Sequence, residues 1–160
     1  MENPNKEQHQ EKEKTFRGAI TVFYKKTNEG LLFLIAENTK TGNISFVSGA
    51  QEDEDQTLEV SAQRENIEEL ELQPDQYELK KIDVKHEFVF GPNKKERAGH
   101  KGSYQVFVSD LTNADFEVSH TEELRSLKWM TEKEVLHSLT FPDVVEVFKK
   151  TVDAIIHITL

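Results

Sequence analysis

The chain has 160 residues, 36% of them hydrophobic, with 20 basic and 30 acidic side chains, a net charge of −10 and no cysteine. That length suits one domain with a real core. Without cysteine there is no disulfide scaffold or thiolate metal site, which favours a cytoplasmic protein. The negative charge argues against a nucleic-acid polymer or an anionic membrane as partner.

Residues 1–14 (MENPNKEQHQEKEK) carry no aliphatic side chain after the first Met. They read as a disordered polar tail, and with no apolar stretch they are not a secretory signal. Residues 15–160 are the expected folded domain. In it, no apolar run approaches the roughly 18 residues of a membrane span. Residues 15–25 (TFRGAITVFYK) and 30–37 (GLLFLIAE) are β-branched and aromatic runs separated by Lys26, Thr27, Asn28 and Glu29, a hairpin pattern. Residues 43–48 (NISFVS) predict a third strand. Residues 56–70 predict a helix, with Asp55 as its N-cap and Pro74 as its stop. Strands follow over 77–90, with room for a bulge, over 103–110 and over 123–130; a Gly- and Pro-flanked loop covers 91–102. Thr131 and Glu134 form a capping box that opens a short helix. A longer helix over 141–158 has Pro142 in its first turn and a stripe of Val144, Val145, Phe148, Val152, Ile155 and Ile156. This order predicts an α/β or α+β domain with helices on a mixed sheet.

The central helix carries the chemistry. Glu65, Glu68 and Glu69 lie at i, i+3 and i+4 and so share a face, where like charges repel. With Glu65 at zero, Glu68 falls near about 300° and Glu69 near about 40° on the helical wheel. Val60, Ile67 and Leu70 fall roughly opposite, which predicts that they pack on the sheet while the carboxylates face away. One reading is a solvated acidic face with Arg64 paired to Glu68. The other is a site for a hard divalent cation, since oxygen-only ligands suit Mg2+, Mn2+ or Ca2+.

The stretch from Gly49 to Leu72 resembles the Nudix box, G-x5-E-x7-R-E-U-x-E-E-x-G-U, with U a bulky aliphatic. Arg64 and Glu65 match the R-E pair, Glu68 and Glu69 the E-E pair, and Leu72 the last U. Ala50, Gln56, Asn66 and Glu71 replace the first Gly, the first Glu, the first U and the late Gly. Asn66 is expected to be half exposed beside the apolar face. Glu71 implies a helix end that avoids the left-handed conformation. Gln56 removes a charge that in the family supports the metal site and orients the Arg, so weaker metal affinity is expected. The likeness extends from about Thr15 to the C-terminus. Residues 46–50 (FVSGA) are similar to dihydroneopterin triphosphate pyrophosphatases, and the segment from Lys128 onward to diadenosine tetraphosphate hydrolases.

The resemblance implies an α/β/α sandwich, with helices on both faces of a mixed sheet. It also implies metal-dependent hydrolysis of a nucleoside diphosphate linked to another group. Arg64, Glu65, Glu68 and Glu69 would be the catalytic residues. Glu65, Glu68, Glu69 and Glu123 would be the ligands to Mg2+ or Mn2+. The loop cations Lys94, Lys95, Arg97 and Lys101 either neutralise substrate phosphates or form a solvated hairpin tip. The expected partner is a small nucleotide polyphosphate, and a homodimer is compatible with this reading. The alternative, motivated by Gln56, is a nucleotide-binding module with weak or no catalysis.

Overall fold

The computed structural model describes residues 15–159. The expected polar tail, residues 1–14, and Leu160 lie outside the described residues, as do the side chains of Asn93 and Lys95. The N-terminal hairpin forms as β1 (Thr15–Thr27) and β2 (Gly30–Asn38), with Thr27 opposite Gly30. Gly30 turns at φ 119°, open to glycine at little cost. The expected third strand divides in two. β3 (Ile44–Ser45) pairs with β2, whereas β4 (Val47–Ala50) pairs with β1. Between them Phe46 is buried and stacks on Phe148, and seating that ring takes the chain from one ladder to the other.

β5 (Lys80–Val89), β6 (Lys101–Asp110) and β7 (Leu124–Thr131) complete a seven-stranded mixed sheet. Its main path runs β3-β2-β1-β6-β5; β7 pairs with β2, and among the described residues only β1 and β6 run parallel. The expected bulge lies between Lys81 and Lys85 of β5. There the buried Gln105 amide donates to the carbonyls of Ile82 and Val84, at 2.6 and 3.2 Å, satisfying backbone the ladder leaves unpaired.

Among the described residues three α-helices cover the two faces. α1 (Leu58–Leu70) packs on one face through Leu70, Ala62 and Ser61. α2 (Glu132–Ser138) opens with the expected reciprocal Thr131–Glu134 capping box. α3 (Pro142–Thr159) covers the other face. Its buried stripe is Val144, Val147, Phe148, Thr151, Val152 and Ile155. Val147 and Thr151 therefore face inward where Val145 and Ile156 were expected, because Phe33 and Phe46 bracket Phe148 and fix the helix's rotation. No helix among the described residues is long and apolar enough to cross a membrane.

Candidate functional site

α1 differs from its sequence reading at both ends and in its facing. Thr57, not Asp55, is the N-cap, its side chain accepting from the Val60 N–H. Pro74 does not stop the helix. Glu71 does so in the left-handed region, at φ 57° and ψ 24°, with its N–H bonded to the Ile67 carbonyl. A glutamate thus adopts the turn for which the family pattern has glycine, at a conformational cost of about 1 kcal/mol. Asn66 is fully buried rather than half exposed. Its amide donates to Tyr77 Oη at 3.0 Å and Thr21 Oγ1 at 3.3 Å. Val60 and Ile67 are 39% and 38% exposed, so of the expected apolar arc only Leu70 packs inward. The side toward the sheet carries Ser61, Ala62, Glu65, Asn66 and Glu69. Small residues there let the helix approach closely, and Gly49 on β4 makes room for a carboxylate. A Cβ on Gly49 would lie 2.0 Å from Glu65 Oε1.

Arg64 joins the loop to the helix. Its Nε donates to both Asp55 carboxylate oxygens at 3.2 Å, and its Nη2 to Asp55 Oδ2 at 3.0 Å and the Ala50 carbonyl at 2.8 Å. Nη1 donates to Glu65 Oε1 at 2.9 Å and to Glu68 at 3.3 Å, with Glu52 at 3.4 Å. Asp55, 4% exposed, also accepts from the Glu52 N–H and Ser61 Oγ. The Arg64 bond holds its carboxyl down to about 2, ahead of these neighbours. Burial alone disfavours the Arg64 cation, but the bonds to Asp55 and Glu65 more than offset it and raise its pKa. Gln56 is exposed and makes none of these contacts. The charge missing at position 56 is present at position 55.

The carboxylates of α1 meet a fourth from the loop before β7. Thr121 fastens that loop to the helix end: its N–H donates to the Glu69 carbonyl at 2.9 Å and its hydroxyl to the Glu68 carbonyl at 3.0 Å. Thr39, just past β2, binds the same loop, donating to the carbonyls of Glu123 and Glu122. Glu123 is thereby brought close enough to raise the pKa of both Glu65 and Glu69. Burial is the larger cause for each. Glu69, crowded also by Glu65 and Glu68, is pushed up to about 8. Glu65 rises despite its bond to Arg64. The sequence pointed to Glu123, but nothing local marked Thr121 or Thr39.

Among the described residues no three His, Asp or Glu side chains are already set as a ligand group for a metal. The donor set nonetheless fits a hard divalent cation. It consists of four carboxylates, two of which, Glu65 and Glu69, resist ionisation through burial and then crowding, and positive charge beside them would relieve that.

Glu69 also lines a cleft of about 440 Å3. β1 pairs with β4 at residues 18–21 and with β2 at 24–27, so β2 and β4 diverge from a shared partner. Phe46, Phe88, Tyr104 and Phe141 contribute aromatic walls to the cleft, and Ser48 and Asn43 polar ones. The expected basic loop is divided. Lys94 lines the cleft, and Arg97 lies over the Phe16 and Phe90 rings at 5.3 and 5.7 Å. Lys101 lines a separate groove with Arg17, Lys81 and Lys85. The Lys95 side chain is outside the description.

Known proteins share this fold. The family model for the NUDIX domain matches residues 14–150. Among solved structures, the E. coli dihydroneopterin triphosphate pyrophosphohydrolase is 16% identical with a TM-score of 0.70, covering 84% of this chain and 92% of that one. A C. elegans Ap4A hydrolase is 17% identical with a TM-score of 0.67, covering 86% and 98%. The NUDIX domain of Shewanella oneidensis NrtR, solved with ADP ribose, is 13% identical with a TM-score of 0.64, covering 88% and 90%. No curated protein matches the chain. These likenesses carry the α/β/α fold, and with the matched domain over most of its length the chain belongs to the NUDIX family, as a Nudix-type pyrophosphohydrolase.

Proposed function

We propose that the protein uses Mg2+ or Mn2+ to cleave the pyrophosphate linkage of a nucleoside triphosphate or dinucleoside polyphosphate. The observation that carries this reading is the crowding of Glu65, Glu68, Glu69 and Glu123, with Glu69 on the wall of an aromatic-lined cleft. The four carboxylates would hold the metal. When bound, it supplies positive charge against the polyphosphate and makes nearby water more acidic. Arg64, anchored by Asp55, fixes the Glu65 side chain over Gly49. Glu69, which lines the cleft, would take the proton of the attacking water. Lys94 is the only lysine or arginine on the described cleft lining and would meet substrate phosphates. The binding-module alternative drew its motive from Gln56, and Asp55 removes that motive by supplying the charge.

The test is a nucleotide panel with Mg2+ and with Mn2+, read as released phosphate or pyrophosphate. Turnover that stops on chelation is expected. Silence across the panel with nucleotide binding intact would return the binding module to first place.

A further inference from the structure

The second groove, of about 590 Å3, lies on the α1 face of the sheet and takes no part in the chemistry above. The first turns of α1 pack on Ala19 and Phe107 through Leu58 and Ala62. Beyond them β1, β5 and β6 expose Arg17, Lys81, Lys85, Glu87 and Lys101 along the groove. The pairing registers set these side chains in rows. Lys101 lies opposite Val89, Ser103 lies between Arg17 and Glu87, and Lys85 and Lys81 lie opposite Gln105 and Phe107. Alternate residues of β6 share this face, so the rows from Lys101 to Phe107 span about 20 Å at about 3.3 Å per residue. No ion pair among the described residues engages any of the four cations. Glu87 is the only carboxylate on the described lining; Asp83, in the bulge between the two lysines, is outside it. A chain with 30 acidic and 20 basic residues thus carries one strip of unbalanced positive charge.

We propose that this groove binds a short linear chain of linked phosphates. Three of its four cations are lysines, whose ammonium is a point charge suited to phosphate, whereas carboxylates are best met by the arginine fork. The length of the strip favours a chain over a single phosphate. The negative charge of the rest of the surface repels a long anionic polymer, which keeps the chain short. The one aromatic on the described lining, Phe88, packs against His86, Phe90 and Tyr104, so the groove offers no free ring face to a nucleobase. The described linings of groove and cleft share Phe88 and Val89 but no charged residue, so this site and the hydrolase reading stand or fall separately.

Calorimetry on the full chain in EDTA tests this, with tripolyphosphate as the probe. Without a divalent cation the cleft carboxylates repel the probe, so the binding measured is that of the groove. Tripolyphosphate should bind, should weaken as salt rises, and should bind about 10-fold or more tightly than orthophosphate. Lys81→Ala combined with Lys85→Ala should weaken it by about 10-fold. Lys149→Ala combined with Lys150→Ala makes the same change in net charge on exposed positions of α3, and should weaken it less than about 2-fold. Glu87→Gln should tighten binding by about 2- to 5-fold, a gain that misfolding cannot mimic. No binding in EDTA, orthophosphate binding as tightly, equal losses in the two double variants, or no gain in Glu87→Gln would each overturn the assignment. A hexaglutamate peptide binding as tightly as tripolyphosphate would also overturn it, and would make the groove a docking site for acidic peptide.

Discussion

Asp55→Asn isolates the charge that has moved along the chain. The substitution keeps the shape of the side chain and removes its negative charge. Arg64 lowers the Asp55 carboxyl from 3.8 to about 2, so folding favours its ionised form by about 2.5 kcal/mol. Solvent reaching the outer edge of the guanidinium, 19% exposed, trims that to about 1–2 kcal/mol. The Ser61 and Glu52 donors lose a charged acceptor as well, so a total near 2 kcal/mol is expected. For a domain of this size that lowers Tm by roughly 4–8 °C. The folded pKa is depressed, so the stabilisation is fully present above about pH 4 and fades as pH falls toward 2. The gap between wild type and variant should therefore close on acidification. Thermal unfolding followed between pH 7 and pH 2 measures both. Equal Tm at neutral pH, or a gap that widens in acid, would refute Asp55 as the anchor of Arg64. Metal titrations should show the functional side: freed from Asp55, Arg64 pairs more fully with Glu65 and Glu68 and competes with the cation, so more metal is needed for half-maximal turnover.

Gln56→Glu should leave stability and metal requirement unchanged, since position 56 is exposed; tighter metal binding would show that it reaches the site. Glu69→Gln should lower turnover by about 100-fold or more while stabilising the protein at pH 8. Glu69 has a folded pKa raised to about 8, so its ionisation costs folding energy as pH climbs from 4.5, and the amide removes that cost. Added Mg2+ should raise the Tm of wild type more than that of the variant. A loss of stability at pH 8 would contradict the crowding. Gly49→Ala must displace Glu65, whose Oε1 would lie 2.0 Å from the new Cβ; kcat should fall about 10- to 100-fold, with a normal urea midpoint excluding unfolding as the cause. Thr121→Val removes the hydroxyl bond to the Glu68 carbonyl, keeps the backbone N–H bond to Glu69, and should cost about 1 kcal/mol. It should also weaken metal affinity by loosening Glu123, and an unaltered metal titration would leave Glu123 outside the site.

What could be read from the sequence was local. The β1–β2 hairpin, the Thr131–Glu134 box and the place of Pro142 each depend on neighbours a few residues apart, and each is found. The facing of α1 was not local. Periodicity places Val60 and Ile67 inward on hydrophobicity alone. The sheet beneath, with Gly49 opposite Glu65 and Thr21 opposite Asn66, accepts carboxylate and amide instead. Thr39 and Thr121 carried no signal, because what matters about them is a hydrogen bond to a segment more than 50 residues away.

The departures from the Nudix pattern carry the same lesson at the level of chemistry. A substituted box position weakens a site only if that position faces it. The Asp55 N–H closes on the Glu52 carbonyl, the Glu52 N–H returns to the Asp55 carboxylate, and the Gln51 amide holds the Asp55 carbonyl. This turn ends one residue before Gln56, so Asp55 points in at Arg64 and Gln56 points out. Ala50, one residue before the turn begins, accepts a further Arg64 bond and holds the guanidinium against the loop. Glu71 similarly reaches the left-handed turn without glycine, with the Ile67 carbonyl closing on its N–H and the buried Leu72 N–H on the Asn66 carbonyl. Loop closure and helix termination are kept by other residues, and Glu65, Glu68 and Glu123 still crowd Glu69 where it lines the cleft.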